Sequence, residues 1–211
     1  MNGIPKACVI GWPARHSRSP LIHRYWLKQH GIEGDYAIEE IAPDRFEAFL
    51  TDLSGHGYVG CNVTLPHKEA AARVVDSLDE TASSLGAVNT VWYDDGKLHG
   101  ANTDVYGFLA NLDAAAPGWN DGLGRAVVLG AGGAARGIVH GLTMRGVTRI
   151  DVINRSVERT TALAADFPAV AGHGWAPAPA APARAPLYHP PPVPRTPPHA
   201  TRPPRHPRTS R

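Results

Sequence analysis

Short apolar runs alternate with amphipathic stretches along the first part of the chain. Lys6 to Gly11 is an apolar run that ends in Gly-Trp-Pro, which is typical of a strand followed by a loop. Pro20 opens a helix that Gly31 ends, and its apolar positions share one face: Leu21, Ile22, Tyr25 and Trp26. The next predicted elements are a strand over Asp35 to Ile41, a helix over Pro43 to Leu53 and a strand over Tyr58 to Thr64. Such alternation predicts an α/β domain with a largely parallel sheet, in which functional groups collect at the carboxyl ends of strands.

Further predicted strands and helices follow in the same style. The predicted elements are a helix over Leu78 to Leu85 stopped by Gly86, a strand over Ala87 to Tyr93 turned at Asp94-Asp95-Gly96, a helix from Asp104 to Leu112, a strand over Arg125 to Leu129, a helix over Ala134 to Arg145, a strand over Arg149 to Ile153 and a helix over Ser156 to Phe167. The polar, glycine-rich stretch from Pro117 to Gly124 separates the elements that end at Leu112 from a second series of strands and helices that begins at Arg125. We therefore expect two units that share a cleft.

A glycine-rich turn joins the strand at Arg125 to Leu129 to the helix that follows it. The turn is formed by Gly130, Ala131, Gly132, Gly133 and Ala134. Gly130 permits a tight turn, Gly132 lets the backbone approach a pyrophosphate, and Ala135 stands where only a small residue allows close packing of helix on strand. Strand before and helix after give this motif its required context, so the sequence predicts a dinucleotide site.

The end of the following strand indicates which dinucleotide is preferred. An NAD enzyme usually has an acid there, whereas this chain has Asn154, Arg155 and Ser156, and then Arg159. Arg155 can pair with a 2′-phosphate through two parallel hydrogen bonds, which favours NADP over NAD. The alternative is that Arg155 is only a solvated surface charge after a strand.

Four polar clusters lie at the ends of apolar segments. Their candidate ligand groups are Ser17, Ser19, Thr64, Lys68, Asn89 and Asp104. Hydroxyls, amides, one Lys and one Asp that converge from several loops suit a small, highly hydroxylated acid, because each substrate oxygen needs a partner once it leaves water. Two alternatives stay open, since Lys68 could be a surface lysine and Asp104 could serve only as a helix N-cap.

The order and spacing of these clusters, from about Ala7 to about Asp166, resemble the shikimate dehydrogenase family. The resemblance implies an NADP-dependent reductase of 3-dehydroshikimate in aromatic amino-acid biosynthesis. It implies that Lys68 and Asp104 form the catalytic pair, that Ser17 and Ser19 grip the substrate carboxylate, and that Thr64, Asn89 and Asp104 reach the ring hydroxyls. Asn154, Arg155 and Ser156 match the NADP-specific motif of the family. Two other interpretations are a non-catalytic remnant that holds a polyol acid and a quinate or dual-specificity dehydrogenase.

The last part of the chain has a different composition. From Ala171 onward there are 13 of the 20 prolines and six Arg, but no Asp, Glu or Lys. We expect a disordered Pro- and Arg-rich tail that is an interaction arm, a weak binder of nucleic acid or acidic surfaces, or, as we favour, a segment read out of frame. The expected organisation is thus a substrate-binding domain over 1–103, an incomplete Rossmann-like NADP domain over 104–170 with about two strands and an unpaired edge, and a tail over 171–211. A family member truncated or frameshifted in this way should be poorly stable and weakly active.

Charge, cysteine and histidine usage complete the expectation. All 19 acids lie in residues 1–166 with 15 Lys plus Arg, so the formal net charge of +2 is due to the tail and does not indicate a nucleic-acid partner for the globular part. Cys8 and Cys61 are predicted to be free core thiols, and no histidine spacing suggests a metal. No apolar run is long enough to span a membrane, and we expect a cytoplasmic protein whose assembly into a homodimer stays open.

Overall fold

The computed structural model describes residues 3–175 and 187–188. The strands are β1 (Lys6–Gly11), β2 (Asp35–Glu40), β3 (Gly60–Val63), β4 (Ser77–Leu78), β5 (Thr90–Asp94), β6 (Lys97–Ala101), β7 (Arg125–Leu129), β8 (Arg149–Ile153), β9 (Val170–His173) and β10 (Leu187–Tyr188). The helices are α1 (Ser19–Gln29), α2 (Pro43–Thr51), α3 (Lys68–Val74), α4 (Glu80–Leu85), α5 (Asp104–Ala115), α6 (Gly133–Met144) and α7 (Val157–Asp166). The predicted alternation of strands and helices is confirmed.

The first sheet is mixed and has the strand order β2-β1-β3-β5-β6-β4. β1 pairs in parallel with β2 and β3, whereas β5 is antiparallel to both β3 and β6. β5 and β6 form a hairpin whose two loop residues, Asp95 and Gly96, have φ of +46° and +76°. Positive φ at both positions is typical of the tight turns that match strand twist. The sequence indicated this turn, but β6 was not predicted.

The core of the first unit lies on one face of this sheet. Alternate residues of β1 and β3, such as Cys8 and Cys61, pack against Phe46 and Leu50 of α2. Both Phe46 and Leu50 are fully buried. Helix α2 is therefore held against the sheet by these two residues, and Ala71 of the short helix α3 is buried in the same core.

Helix α1 packs on the opposite face of the sheet with a rotation that the sequence did not predict. Beyond the first two residues of α1, its half-buried residues are His23 and Leu27, four positions apart, which is the spacing of one helix face. The apolar face predicted for this helix is exposed: 65% of Leu21 and 51% of Trp26 remain accessible in the described structure. The four apolar residues that share one face of α1 therefore do not belong to either described core.

The second sheet is parallel and has the order β10-β7-β8-β9. It contains β9 and the two-residue strand β10 in addition to β7 and β8, so the expectation of about two strands is corrected. Chain order runs outward from β7 through β8 to β9 and then returns to β10 on the other side of β7. This reversal is a topological switch point, the place where open α/β sheets bind ligands beyond the carboxyl ends of their strands.

The start of the predicted tail also needs a correction. Ala171, Gly172 and His173 were placed in the tail, but they form β9 and pair with Asp151, Val152 and Ile153 of β8. These three residues form a strand because their backbone groups hydrogen-bond to β8 in a parallel ladder. Apart from Leu187 and Tyr188, the predicted disordered tail beyond residue 175 lies outside the described residues.

Helices α5 and α6 pack side by side in the second core. A Cβ atom on Gly141 would lie 3.2 Å from Val105, so the absence of a side chain there permits a close approach. Val105 lies beside Gly137 and Gly141, and further along Asp113 pairs with Arg145, which shows that the helices run in the same direction. Their amino-terminal ends therefore lie at the same end of the packed pair.

Candidate active site

The glycine-rich turn lies between β7 and α6 as predicted. Gly130 has φ of +105°, a value that L side chains rarely adopt, and its amide donates to the carbonyl of Ile153 at 2.8 Å. Gly132 is the N-cap of α6, and no described atom lies within 4 Å of where a Cβ on Gly132 or Gly133 would stand. There is therefore room for a ligand beside the amino end of α6, where the first amides of a helix have no partner within the helix and can bind phosphate.

Ala135 supports this turn from beneath. It is 3% exposed and belongs to the second core, as the close-packing argument for the third position of the motif requires. Ala131 packs against the same core, whereas Ala134 is exposed beside the open face of the turn. The residues present thus fit a pyrophosphate group, with backbone on one side and a small buried residue on the other.

The loop after β8 presents two unpaired cations. Arg155 and Arg159 are exposed, and neither makes an ion pair within the described part of the chain. Asn154 shapes the loop, since its Nδ2 donates to the carbonyl of Ser156 at 3.0 Å. The Ser156 hydroxyl donates to Glu158 at 2.6 Å, and this hydrogen bond lowers the pKa of that carboxyl. Glu158 is an acid beside the predicted phosphate site that the sequence reasoning did not consider.

Lys68 and Asp104 come together although 36 residues separate them. Lys68 is the first residue of α3, Asp104 is the first residue of α5, and Lys68 Nζ lies 2.5 Å from Asp104 Oδ2. The N-cap of α5 is Thr103, and the Asp104 carboxylate makes no capping hydrogen bond. The alternative that Asp104 is only a cap is therefore wrong. The side chains are 27% and 52% exposed, so both reach solvent and are accessible to a ligand.

Asn89 holds the second oxygen of Asp104. It is buried, and its Nδ2 donates to Asp104 Oδ1 at 2.8 Å and to the Thr103 hydroxyl at 3.0 Å. The Thr103 amide donates to Asn89 Oδ1 at 3.0 Å. Both hydrogens of the Asn89 side-chain amide are engaged within the protein. A hydrogen bond from Asn89 Nδ2 to a substrate would therefore replace the hydrogen bond to the Thr103 hydroxyl. Asn89 thus fixes the direction in which Asp104 faces Lys68.

Ser17 and Ser19 lie at the start of α1, and Thr64 follows β3. The Ser17 hydroxyl donates to the Ser19 hydroxyl at 3.1 Å, and the Ser19 amide donates to Ser17 Oγ at 3.2 Å. A Cβ on Gly11 would stand 2.5 Å from the Thr64 methyl group, so the bare backbone of Gly11 makes room for Thr64. The three hydroxyl residues are half-buried at carboxyl ends of β1 and β3.

His67, next to Lys68, belongs to the core and not to the site. Its ring is stacked on Phe46 with centroids 4.3 Å apart, and Nε2 lies 2.8 Å from the carbonyl oxygen of Ile41. Burial lowers the pKa of His67. His67 therefore holds α3 against α2, while the next residue, Lys68, extends toward Asp104.

The remaining candidates add no chemistry to this site. Cys8 and Cys61 are free and buried, as predicted, and burial raises the pKa of Cys61 to about 12, so the thiols are poor nucleophiles. Within residues 3–175 and 187–188, no cluster of His, Cys, Asp or Glu could hold a metal ion. None of the helices described above is long and apolar enough to cross a membrane.

Fold and site together define an α/β protein that has the glycine-rich turn of dinucleotide-binding folds and a polar Lys–Asp pair at the start of α5. Comparison with known families agrees. A model described as the shikimate dehydrogenase substrate binding domain matches residues 9–91, and one described as shikimate / quinate 5-dehydrogenase matches residues 121–173. The chain belongs to the shikimate dehydrogenase family.

Individual relatives show how far the similarity extends. The chain is 56% identical over 171 residues to shikimate dehydrogenase (NADP(+)) of Brucella melitensis, covering 81% of this chain and 59% of that protein. The structure of shikimate 5-dehydrogenase from Thermus thermophilus in complex with NADP(H) and shikimate is similar with a TM-score of 0.72, 38% identity, and coverage of 78% and 61%. Quinate dehydrogenase from Corynebacterium glutamicum in complex with NAD is similar with a TM-score of 0.73, 30% identity, and coverage of 82% and 65%. The chain thus spans about 59% of the length of its Brucella relative.

Proposed function

We propose that this chain acts as an NADP-dependent shikimate dehydrogenase, which reversibly reduces 3-dehydroshikimate to shikimate. The observation that carries the proposal is the contact of 2.5 Å between Lys68 Nζ and Asp104 Oδ2, with Asn89 fixing the other carboxylate oxygen. A lysine and a carboxylate in contact, accessible from solvent, are suited to exchange a proton with a substrate hydroxyl. The identity of 56% to a shikimate dehydrogenase (NADP(+)) supports the same assignment.

In this proposal each polar cluster binds a different part of the substrate. Ser17 and Ser19 bind the carboxylate, while Thr64, Asn89 and Asp104 reach the ring hydroxyls. Lys68 donates a proton to the carbonyl oxygen as that oxygen becomes the 3-hydroxyl, and it accepts the proton in the reverse direction. Asp104 keeps the ammonium group oriented toward the reacting oxygen. The dinucleotide, when bound, supplies the hydride.

The cofactor-binding role is assigned to the loop residues of the second unit. The open amides that follow Gly130, Ala131 and Gly132 would hold the pyrophosphate, with Gly133 and Ala134 forming the first turn of the helix. Asn154, Arg155, Ser156 and Arg159 would surround the adenosine phosphate of NADP. Arg155 and Arg159 support this choice, because neither makes an ion pair with another described residue and both can therefore pair with a bound phosphate.

The division into a substrate-binding domain over 1–103 and a cofactor-binding domain over 104–170 belongs to the same proposal. It is supported by two separate cores and by α5, whose Val105 and Leu109 are buried in the second core. In this division Asp104 lies at the junction, between the substrate residues before it and the dinucleotide turn after it. Cytoplasmic location and a homodimer stay predictions.

A second candidate is a protein that binds the substrate without turnover. The deciding experiment follows NADPH absorbance with purified chain and 3-dehydroshikimate, and repeats it with shikimate or quinate and either NADP or NAD. We expect turnover with the shikimate pair and NADP, which the Lys68→Ala variant lacks. Substrate binding without absorbance change would favour the second candidate, and faster turnover of quinate with NAD would overturn the substrate and cofactor assigned here.

A further inference from the structure

Asn102 lies two residues before Asp104 and is not among the predicted site residues. It is only 6% exposed, and its side chain has a partner at each end. Asn102 Nδ2 donates to the Ala87 carbonyl oxygen at 2.9 Å, and Asn102 Oδ1 accepts from the Asp104 amide at 3.1 Å. Because a carbonyl can only accept and a backbone amide can only donate, both partners require this orientation of the side-chain amide. Asn102 therefore joins the start of α5 to the segment that precedes β5.

The backbone of Asn102 is held by the start of α4. Asp79 is the N-cap of α4, and its Oδ1 accepts from the Ala82 amide at 2.6 Å and from the Asn102 amide at 3.3 Å. The Asp79 amide in turn donates to the Gly100 carbonyl oxygen at 2.9 Å. One carboxylate thus caps a helix and holds the residue that follows β6. The side chain of Asn102 therefore extends from a fixed backbone.

The segment that precedes β5 also holds Lys68. The Val88 amide donates to the Lys68 carbonyl oxygen at 2.9 Å, so the start of α3 is attached to this segment. Through the Ala87 carbonyl, Asn102 attaches the Asp104 backbone to the same segment. A closed ring of contacts results, in the order Lys68, Val88, Ala87, Asn102, Asp104 and back to Lys68.

We propose that Asn102 is a positioning residue for the Lys68–Asp104 pair, an inference that rests on the function proposed above. Asn89 fixes the direction of the Asp104 carboxylate, whereas Asn102 fixes the backbone from which that carboxylate extends. A misplacement of about 1 Å at reacting groups can cost about 10²-fold in rate, so both attachments of Asp104 matter to the reaction. Asn102 itself is buried and acts through Asp104.

The test follows the Lys68 side chain by NMR in the complete 211-residue chain. The chain has four lysines, so reductive methylation with ¹³C-formaldehyde gives few signals, and Lys68→Arg identifies that of Lys68. Asp104→Ala gives the position of the signal when the pair is absent. We expect Asn102→Ala to move the Lys68 signal most of the way to that position. The matched control is Asn111→Ala, the same substitution at an exposed residue of α5, which should leave the signal unmoved.

Two further variants separate positioning from a general loss of packing. Asn102→Ser keeps a hydroxyl that can accept from the Asp104 amide but is too short to reach Ala87, so it should move the signal less than Asn102→Ala. Asp151→Ala removes a buried ion pair of the second sheet and should not move the signal. Movement of equal size in Asn102→Ser and Asn102→Ala, or the same movement in Asp151→Ala, would overturn the inference, as would an unmoved signal in Asn102→Ala. Should Asn102→Ala not fold, Asn102→Ser must still move the signal more than Asn111→Ala does.

Turnover of the unmethylated variants connects the contact to the reaction. Asn102→Ala should lower kcat by about 10- to 100-fold and change the KM for NADP less than about 2-fold, because Asn102 acts on the orientation of the pair and not on the dinucleotide. A displaced signal with normal turnover would overturn the inference, since the orientation of the pair would not matter to the reaction. The NMR signal needs no substrate, so the expected shifts without any turnover by the unmodified chain would instead overturn the proposed function.

Discussion

Replacing Arg155 by Ala should remove most of the preference for NADP over NAD. The two cofactors differ by one phosphate on the adenosine ribose, and Arg155 is the residue proposed to bind it. Arg155 is exposed at the end of β8 and makes no ion pair within residues 3–175 and 187–188. The substitution therefore breaks no internal ion pair among those residues, and its effect should fall on the ligand alone.

The size of the effect follows from this exposed, unpaired geometry. A hydrogen bond to a charged group contributes about 1.5 to 3 kcal/mol. Arg155→Ala should therefore weaken NADP by roughly 10- to 150-fold, while NAD, which lacks the phosphate, should change less than about 2-fold. Arg159 lies one turn further along α7, so Arg159→Ala should give a smaller loss that decreases as salt is raised.

The assay is calorimetric titration of each cofactor into the unmodified chain and the variants. The matched control is Arg45→Ala, an exposed arginine of α2 in the other unit, which should alter neither constant. Equal losses of NADP and NAD in Arg155→Ala would mean that Arg155 supports the loop and does not recognise the phosphate. The physical argument for NADP would then be refuted.

Three further predictions concern the site and the two cores. Lys68→Ala should lower turnover by about 10² to 10⁴-fold. It should change the free energy of unfolding by less than about 1 kcal/mol, because the ion pair of Lys68 with Asp104 reaches solvent. Kinetics and urea unfolding of the same sample check both values, and a normal rate would contradict the assignment. His67 has a pKa lowered by burial, so below about pH 6.5 the unfolded chain binds a proton that the folded chain does not, and stability should fall with acidification. In thermal unfolding from pH 8 to pH 5, the melting temperature of His67→Gln should depend less steeply on pH than that of the unmodified chain. Identical slopes would refute this. Asp151 is fully buried with Arg125 at 2.5 Å and His173 at 2.8 Å, so Asp151→Ala should destabilise the chain by about 2 to 3 kcal/mol in urea unfolding. Asp35→Ala removes an exposed pair with Arg24 and should cost clearly less, and similar losses in the two variants would count against the burial argument.

Local sequence signals were enough to predict most of the helices and strands. Glycine and proline marked the ends of most elements, and the glycine turn between β7 and α6 has a local cause, the positive φ of Gly130. The polar motifs lie at strand ends because loops there are short. The contact between Lys68 and Asp104 follows from two helices that each begin at a motif residue.

The features that escaped the sequence depend on tertiary packing. The exposed stripe of α1 has an apolar pattern, but His23 and Leu27 face the sheet, since stacking on Tyr36 determines the rotation of the helix. The strand formed by Ala171 to His173 has little apolar pattern and depends on pairing with β8. The hydrogen bond from the Tyr36 hydroxyl to Asn62 Oδ1 depends on register across β2, β1 and β3, which a single sequence does not reveal.

The decisive measurement for the proposed substrate site is a crystal structure of the chain with shikimate bound. We expect the carboxylate to accept hydrogen bonds from the Ser17 and Ser19 hydroxyls, and the 3-hydroxyl to lie within hydrogen-bonding distance of Lys68 Nζ. The result that would contradict it is a ligand bound in the reverse orientation, or one placed in the groove of about 400 Å³ beside Leu27 and Val59.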